Sequence, residues 1–180
     1  GIDGDVPSKP FGDANEFTWS PDGKTIVFSV RIAGKTEAWS TNLDLYSVDA
    51  AGKTNPKNLT AANLASDTAP LFSQDGKNLY YTAMSRPGFE ADRFAIMAMN
   101  LATGKPREIA PNWDRSAGSM KLSLDGKTLY TASDDVGQHP LFAIDIASGA
   151  VKQIAGNGTV GEFDLANDTL AITRDTLSSP

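Results

Sequence analysis

The sequence contains no cysteine and a single histidine, His139. Without cysteine the chain forms no disulfide bonds and offers no thiolate ligands to a metal ion. One histidine cannot supply the paired imidazole ligands found in many metal sites, and it leaves few general bases for a nucleophile. We therefore predict neither a metal site nor a cofactor in this chain.

Basic residues are the minority among the charged side chains. Sixteen Lys and Arg residues stand against 22 Asp and Glu residues, which gives a net charge of −6. Because no basic cluster interrupts this balance, neither nucleic acid nor an anionic membrane surface is predicted as a partner. No apolar run approaches the about 20 residues that a helix needs to span a bilayer.

Motifs of the common catalytic classes are also missing. The chain has no Gly-x-Ser-x-Gly elbow and no phosphate-binding glycine loop. The acidic pairs Asp3/Asp5 and Asp134/Asp135 lack the ligand spacing of a calcium loop. We therefore predict no catalytic residue in these 180 residues, which are typical of a scaffold or binding module.

A five-residue pattern, Ser-x-Asp-Gly-Lys, begins at Ser20, Ser73 and Ser123, which are 53 and 50 residues apart. Apolar residues at every second position flank the pattern, which is the spacing of β-strands. The Asp-Gly pair supplies the turn chemistry of a tight hairpin. A worn fourth copy covers Gly161–Thr173, with Ala166–Asp168 in place of the turn. A fixed period of this length indicates a repeat architecture.

The remainder of each period completes a common unit. Each of the three hairpins is followed by an apolar segment, a turn containing Gly52, Gly104 or Gly149, and a short fourth strand. Four antiparallel strands in about 40 to 50 residues are typical of a propeller blade. The predicted fold is all-β, a partial β-propeller of three four-stranded antiparallel blades plus the first hairpin of a fourth. The predicted boundaries are a leader at 1–15, blades at 16–60, 69–110 and 118–155, and the start of a further blade at 160–180.

Strand direction sorts the connections into two groups. Because antiparallel strands alternate in direction, the loops between second and third strands share a face with the loops between blades. These loops are long and varied, whereas the turns on the other face are short and stereotyped. Function concentrates on long loops held by a rigid scaffold, so we place the working face on the long-loop side. The notable side chains of that face are Trp39, Glu90, Asp92, Arg93, Trp113, Asp114, Arg115 and His139.

The candidate substrate-binding residues on this face are Glu90, Asp92, Arg93, Trp39 and Trp113. Most of them have a structural alternative. The tryptophans could pack between a loop and its own blade. The sequence neighbours Asp92/Arg93 and Asp114/Arg115 could each form a salt bridge that anchors a loop. Glu90 stands out among the carboxylates because it follows a glycine and an aromatic residue in a polar loop.

The Ser-Pro-Asp-Gly-Lys hairpin, with the Leu-Tyr-x-Val-Asp and Asn-Leu-Thr strands that follow it, resembles the propeller repeats of two groups. One is the periplasmic propeller of the Tol-Pal system, and the other is the N-terminal propeller of the prolyl oligopeptidase superfamily. The connecting segments at Glu37–Tyr46, Phe89–Arg93 and Asn112–Ser116 resemble the bacterial dipeptidyl peptidase and acylaminoacyl peptidase branch of the second group.

The second resemblance implies a substrate-gating propeller segment of a serine exopeptidase that releases dipeptides or acylated amino acids from peptide N-termini. Its implied partners are a peptide substrate and an α/β-hydrolase domain of the same protein, whose Ser-Asp-His triad matches no position here. In dipeptidyl members an acidic loop receives the substrate's N-terminal ammonium group, and Glu90 is the position that carries over. Ala91 follows Glu90, so the paired glutamates of that loop are absent and an acylated substrate stays open.

The Tol-Pal resemblance implies the alternative, a non-catalytic protein-binding propeller. The compartment, either the periplasm or the cytoplasm of a bacterium, stays open under both resemblances. A propeller removes its exposed sheet edges by completing a ring of about four to eight blades. Three blades and a hairpin are expected to leave apolar flank residues such as Phe28 and Tyr81 exposed. We therefore expect the chain either to self-associate, with two copies completing a ring of about seven blades, or to be a proteolytic remnant stabilised by crystal packing.

Overall fold

The structure is a computed structural model that describes residues 2–6, 16–167 and 169–178. The chain divides into two compact units, Gly1–Arg107 and Glu108–Pro180. The regular secondary structure of the described residues is β-strand, together with a 3₁₀ turn at Gly34–Thr36. This part of the chain contains no helix with the length and apolar character needed to cross a membrane.

The first unit contains two four-stranded sheets in which neighbours along the chain are also neighbours in the sheet. The strands of its first sheet are β1 (Phe17–Trp19), β2 (Thr25–Val30), β3 (Asp44–Asp49) and β4 (Lys57–Asn58). The strands of its second sheet are β5 (Asp67–Phe72), β6 (Asn78–Ala83), β7 (Ala95–Asn100) and β8 (Lys105–Glu108). The last residue of β8 belongs to the second unit.

The second unit contains one four-stranded sheet and one two-stranded sheet. The strands of the larger sheet are β9 (Met120–Leu122), β10 (Thr128–Ala132), β11 (Leu141–Asp145) and β12 (Val151–Ala155). The pair consists of β13 (Thr159–Ala166) and β14 (Thr169–Asp175), joined through Asn167 at φ 54°. Asp168, which belongs to the predicted worn turn, lies outside the described residues. The prediction of an all-β fold with three four-stranded antiparallel blades and a further hairpin is confirmed.

Most of the predicted leader at 1–15 lies outside the described residues. Within the described part, Asp5 forms an antiparallel bridge with Arg31, the residue that follows β2. The backbone N–H of Asp5 donates to the Arg31 carbonyl at 3.1 Å.

The three Ser-x-Asp-Gly-Lys turns share one set of hydrogen bonds. In each, the serine hydroxyl donates to the aspartate carboxylate at 2.7 Å. The same hydroxyl accepts a backbone N–H at 2.9 Å from the first residue of the following strand, as Ser73 does from Asn78. The glycines adopt φ values of 68°, 68° and 70°, which favour glycine at this position. The same local hydrogen bonds therefore close all three turns.

The core of the first unit joins its two sheets. Val27 and Leu45 of the first sheet lie in one apolar cluster with Phe72, Leu79 and Tyr81 of the second sheet. The expectation that Tyr81 is exposed is therefore wrong, because the neighbouring blade leaves its side chain only 3% exposed. In the second unit, a smaller cluster of Ala132, Leu141 and Val160 joins the larger sheet to the β13–β14 pair.

Candidate functional site

Two long loops of the first unit form the candidate site, and we call residues 31–43 and 84–94 together the loop platform. They follow β2 and β6, the second strands of their sheets. The backbone N–H of Gly88 in one loop donates to Thr41 Oγ1 in the other at 2.9 Å. The Arg31 guanidinium donates to the carbonyls of Glu37 and Ser40, which closes the first loop on itself. The two loops are therefore held both internally and to each other.

Asp92 organises the second loop from within. Its carboxylate accepts the backbone N–H groups of Ser85 and Arg86, each at 2.8 Å, and the Arg86 Nε–H at 2.9 Å. Burial by itself raises the pKa of Asp92, but the hydrogen bonds from Ser85 and Arg86 outweigh burial and hold that pKa well below its usual range. The side chain is 6% exposed, so it acts here as an anchor for the loop.

The structure pairs Asp92 with Arg86, whereas the sequence suggested its neighbour Arg93. Arg93 is half-buried, and its backbone also stabilises the Asp92 carboxylate. The Arg86 guanidinium lies 4.0 Å from the centre of the Phe89 ring. Sequence reasoning missed both Arg86 and Thr41, because neither the contact of Arg86 within its own loop nor the contact of Thr41 with the other loop leaves a periodic signal in the chain.

The exposed surface of the loop platform is aromatic and acidic. Trp39 is 69% exposed and Phe89 is 43% exposed. Glu90 is also exposed, between Phe89 and Ala91. For Trp39, packing against its own blade is therefore wrong as an explanation, and its indole is available for binding. Glu90 and Trp39 are the two candidate residues whose side chains face solvent most fully on this surface.

Trp113 belongs to the second unit and packs within it. Its indole meets the Phe142 ring edge-on, with ring centres 5.3 Å apart and planes at 65°. The nearby Arg115 side chain forms ion pairs with Asp114 and with Asp135. Trp113 is half-buried and Arg115 is ion-paired, so both side chains stabilise this loop within its own unit.

His139, another side chain predicted on the long-loop face, belongs to the second unit. Its Nδ1 lies 2.7 Å from Asp134 Oδ1, beside an open cleft that Gly137, Thr159 and Gly161 also line. In the ranges 2–6, 16–167 and 169–178, no three His, Cys, Asp or Glu side chains come together as a set of metal ligands. A separate cleft in the first unit lies beside the hairpin turns of Pro21 and Gly76, away from the loop platform.

No family model matches the chain. Dipeptidyl-peptidase 5 of Porphyromonas gingivalis is 30% identical over 179 residues, which cover 98% of this chain and 26% of that protein. Dipeptidyl-peptidase 5 of Trichophyton equinum is 33% identical over 147 residues, which cover 77% of this chain and 20% of that protein. The chain thus spans about a quarter or less of the length of these relatives.

Solved structures with the same fold include peptidase propellers. The Pyrococcus horikoshii acylaminoacyl peptidase matches with a TM-score of 0.66 and 20% identity, over 91% of this chain and 24% of that chain. The β-propeller domain of the Trilobed protease from Pyrococcus furiosus matches with a TM-score of 0.66 and 18% identity, over 91% and 46%. TolB from Acinetobacter baumannii matches with a TM-score of 0.60 and 22% identity, over 78% and 32%.

At these identities the solved structures establish the β-propeller fold. Evidence for the family comes from the sequence relatives. The Porphyromonas gingivalis sequence aligns over 98% of this chain, and the Trichophyton equinum sequence aligns over 77% of it. The sequence relatives and the shared fold together support a β-propeller segment of a prolyl oligopeptidase-family peptidase.

Proposed function

We propose that this chain is the substrate-gating propeller segment of a serine exopeptidase that releases dipeptides or acylated amino acids from peptide N-termini. The catalytic α/β-hydrolase domain lies outside these residues in this proposal. The relationship to dipeptidyl-peptidase 5 supports the peptidase assignment. The observation that carries the role of this segment is the loop platform, which presents the Glu90 carboxylate on a loop braced by the buried Asp92.

The chemistry of Glu90 suits the N-terminal ammonium group of a peptide. A carboxylate and an ammonium group form a charge-assisted hydrogen bond that is both strong and directional. Bracing by Asp92 limits the freedom of the loop, so less conformational entropy is lost when a substrate binds. The exposed Trp39 indole adds an apolar surface on the adjoining loop. In this role Glu90 contacts the substrate, whereas Asp92 and Arg93 position the loop.

The test is the substitution Glu90→Gln in the full-length protein, assayed with dipeptidyl substrates that carry a free or a blocked N-terminus. We expect KM for free-amine substrates to rise about tenfold, because a charge-assisted hydrogen bond becomes a neutral one. KM for blocked substrates should stay unchanged. Glu37→Gln removes an exposed carboxylate from the other loop of the platform and is the matched control. Equal effects of the two substitutions, or equal effects on both substrates, would remove Glu90 from the site.

The alternative is a non-catalytic propeller that binds a protein, as the fold shared with TolB would permit. The full open reading frame separates the two proposals. A hydrolase domain with a Gly-x-Ser-x-Gly elbow supports the peptidase, and its absence supports the binding module.

A further inference from the structure

Asp67, the first residue of β5, is a buried carboxyl group with one oxygen left unpaired. The residue is 1% exposed. Its Oδ1 accepts a hydrogen bond from Asn63 Nδ2 at 3.0 Å, whereas Oδ2 has no hydrogen-bond partner. None of the ion pairs among the described residues includes this carboxyl group. An ionised carboxylate in such a place is costly, because burial removes most of its contact with solvent and no Lys or Arg of the described residues forms an ion pair with it.

A second carboxyl group near Asp67 also has a buried oxygen without a hydrogen-bond partner. Asp44, at the start of β3, accepts from Asn58 Nδ2 at 2.9 Å through Oδ2, and its buried Oδ1 has no partner. The charge of Asp44 disfavours ionisation of Asp67, and Tyr81 on β6 also experiences the charge of Asp67. Asp67 therefore faces the carboxyl group of Asp44 on β3 and the neutral phenol of Tyr81 on β6. Side-chain hydrogen bonds from Thr60 and Asn63, on the loop before β5, lower the pKa of Asp67, but burial has the larger effect and raises it.

Asp67 lies at the base of the loop platform. Its backbone N–H donates to the carbonyl of Leu43, where the first platform loop ends, at 2.8 Å. Asn63, which donates to Asp67, uses the same amide group to donate to the Met84 carbonyl at 2.9 Å, where the second platform loop begins. The backbone N–H of Met84 in turn donates to the Ser66 carbonyl at 2.8 Å. Asp67 is thus connected to the first loop through its backbone N–H and to the second loop through its carboxyl group and Asn63.

We propose that Asp67 is a proton-binding site that tightens the loop platform when protonated and loosens it when ionised. As a carboxylic acid, Asp67 carries no charge, so protonation removes both the cost of burying a charge and the repulsion from Asp44. When the proton leaves, the buried charge favours conformations in which loop 61–66 opens and water reaches the carboxylate. Burial raises the pKa of Asp67 to about 7, so this change falls within the ordinary range of working pH.

The pH dependence has a definite direction. In the open state Asp67 is solvated and titrates near its ordinary value of 3.8, whereas in the closed state it titrates near 7. Between these values the closed state holds a proton that the open state lacks. The equilibrium constant for opening therefore rises up to about tenfold per pH unit between these two pKa values. It levels off above the closed-state pKa of Asp67. The inference does not depend on the proposed peptidase role, because it concerns a proton and not a substrate.

Amide hydrogen exchange on the full 180-residue chain tests the proposal. Protection factors, corrected for intrinsic exchange, are measured for residues 31–43, 61–66 and 84–94 from about pH 5 to about pH 8. Protection in the wild type should fall up to about tenfold per unit and level off near pH 7. Asp67→Asn keeps the shape of the side chain without its charge, so its protection should stay flat. Asp75→Asn, at an exposed carboxylate of a hairpin turn, is the control and should follow the wild type.

A second measurement needs no substitution. Carbon-13 NMR of aspartate-labelled wild-type chain should show one carboxyl group that titrates near pH 7 and is absent from Asp67→Asn. A wild type whose loop protection does not change with pH, or an Asp67 carboxyl that titrates below about pH 4.5, would overturn the proposal. Restored protection at about pH 8 on adding sodium or calcium chloride would also overturn it, because a bound cation would then replace the proton.

Discussion

Asp92 is a buried carboxylate whose role is to shape a loop. It gathers the backbone N–H groups of Ser85 and Arg86 at one end of the turn, and Arg86 then covers the ring of Phe89. Glu90 lies at the exposed part of this turn. The loop thus separates two functions that similar side chains could share: Asp92 supports the backbone, and Glu90 remains available to a ligand.

Asp92→Asn should lower the free energy of unfolding by about 2 kcal/mol at neutral pH, because an amide replaces a charged acceptor of several N–H groups. The pKa of Asp92 is lowered in the folded chain, so its stabilisation is complete above the unfolded pKa and disappears as the pH falls through the folded value. Urea denaturation of the wild type and of Asp92→Asn, at about pH 7 and about pH 3, measures the difference between their free energies of unfolding. This difference should be smaller at the lower pH. Asp114→Asn, at an exposed ion pair, should have little effect. A difference independent of pH would contradict the ionic role of Asp92.

At the scale of the elements, the glycine turns carry unequal constraints although their backbones look alike. Gly126 and Gly149 adopt φ values of 70° and 73° in the same four-stranded sheet. A Cβ at Gly126 would meet no atom within 4 Å, whereas a Cβ at Gly149 would overlap with the carbonyl oxygen of Ile109. The first turn therefore needs glycine only for its conformation, and the second also needs it for space.

Gly126→Ala should cost about 1 kcal/mol, the price of a left-handed residue with a side chain. Gly149→Ala should cost at least about 2 kcal/mol more, because the backbone of Ile109 must move. Thermal denaturation followed by circular dichroism compares both variants with the wild type. Equal losses of stability in the two variants would mean that the backbone around Ile109 can move without destabilising the fold.

At the scale of the whole molecule, β1 exposes two aromatic side chains on one face of an edge strand. Phe17 is 50% exposed and Trp19 is 52% exposed. Among the described strands, β1 is hydrogen-bonded to β2 alone. A strand edge that combines unpaired backbone groups with aromatic side chains favours pairing with another surface.

We therefore expect the chain to self-associate at micromolar concentration, giving a mass above that of the monomer in light scattering after size exclusion. The double substitution Phe17→Ser and Trp19→Ser should restore the monomer, because it removes the apolar contact from the edge. A monomeric wild type with cooperative thermal unfolding would show that the exposed edge is tolerated.

The whole chain should also be inactive by itself. Chromogenic dipeptidyl and acyl-aminoacyl substrates should show no hydrolysis above background, because no residue of the 180 provides a nucleophile paired with a base in a recognised motif. The full-length protein, assayed in parallel, is the positive control. Activity that copurifies with the chain and survives removal of contaminating peptidases would contradict this expectation.

The sequence alone determined the strands and turns, because their causes are local. The serine hydroxyl, the aspartate and the glycine of each repeat lie within four residues and make the same bonds at Ser20, Ser73 and Ser123. Alternating apolar residues then place the flanking strands, and the repeat period leads to blades. The long-loop candidates Glu90 and Trp39 could also be named in advance, since long connections stand out between regular repeats.

Only the tertiary structure decided which of those residues are exposed and which are anchored. Asp92 pairs with Arg86, Trp113 packs on Phe142, and Tyr81 is covered by the neighbouring blade. The buried carboxyl group of Asp67 and the buried Oδ1 of the half-buried Asp44 also gave no signal in the pattern. The covering of Tyr81 and the packing of Trp113 depend on contacts between segments far apart in the chain, and the pairing of Asp92 depends on how its own loop folds. Such packing determines burial, charge and hydrogen bonding.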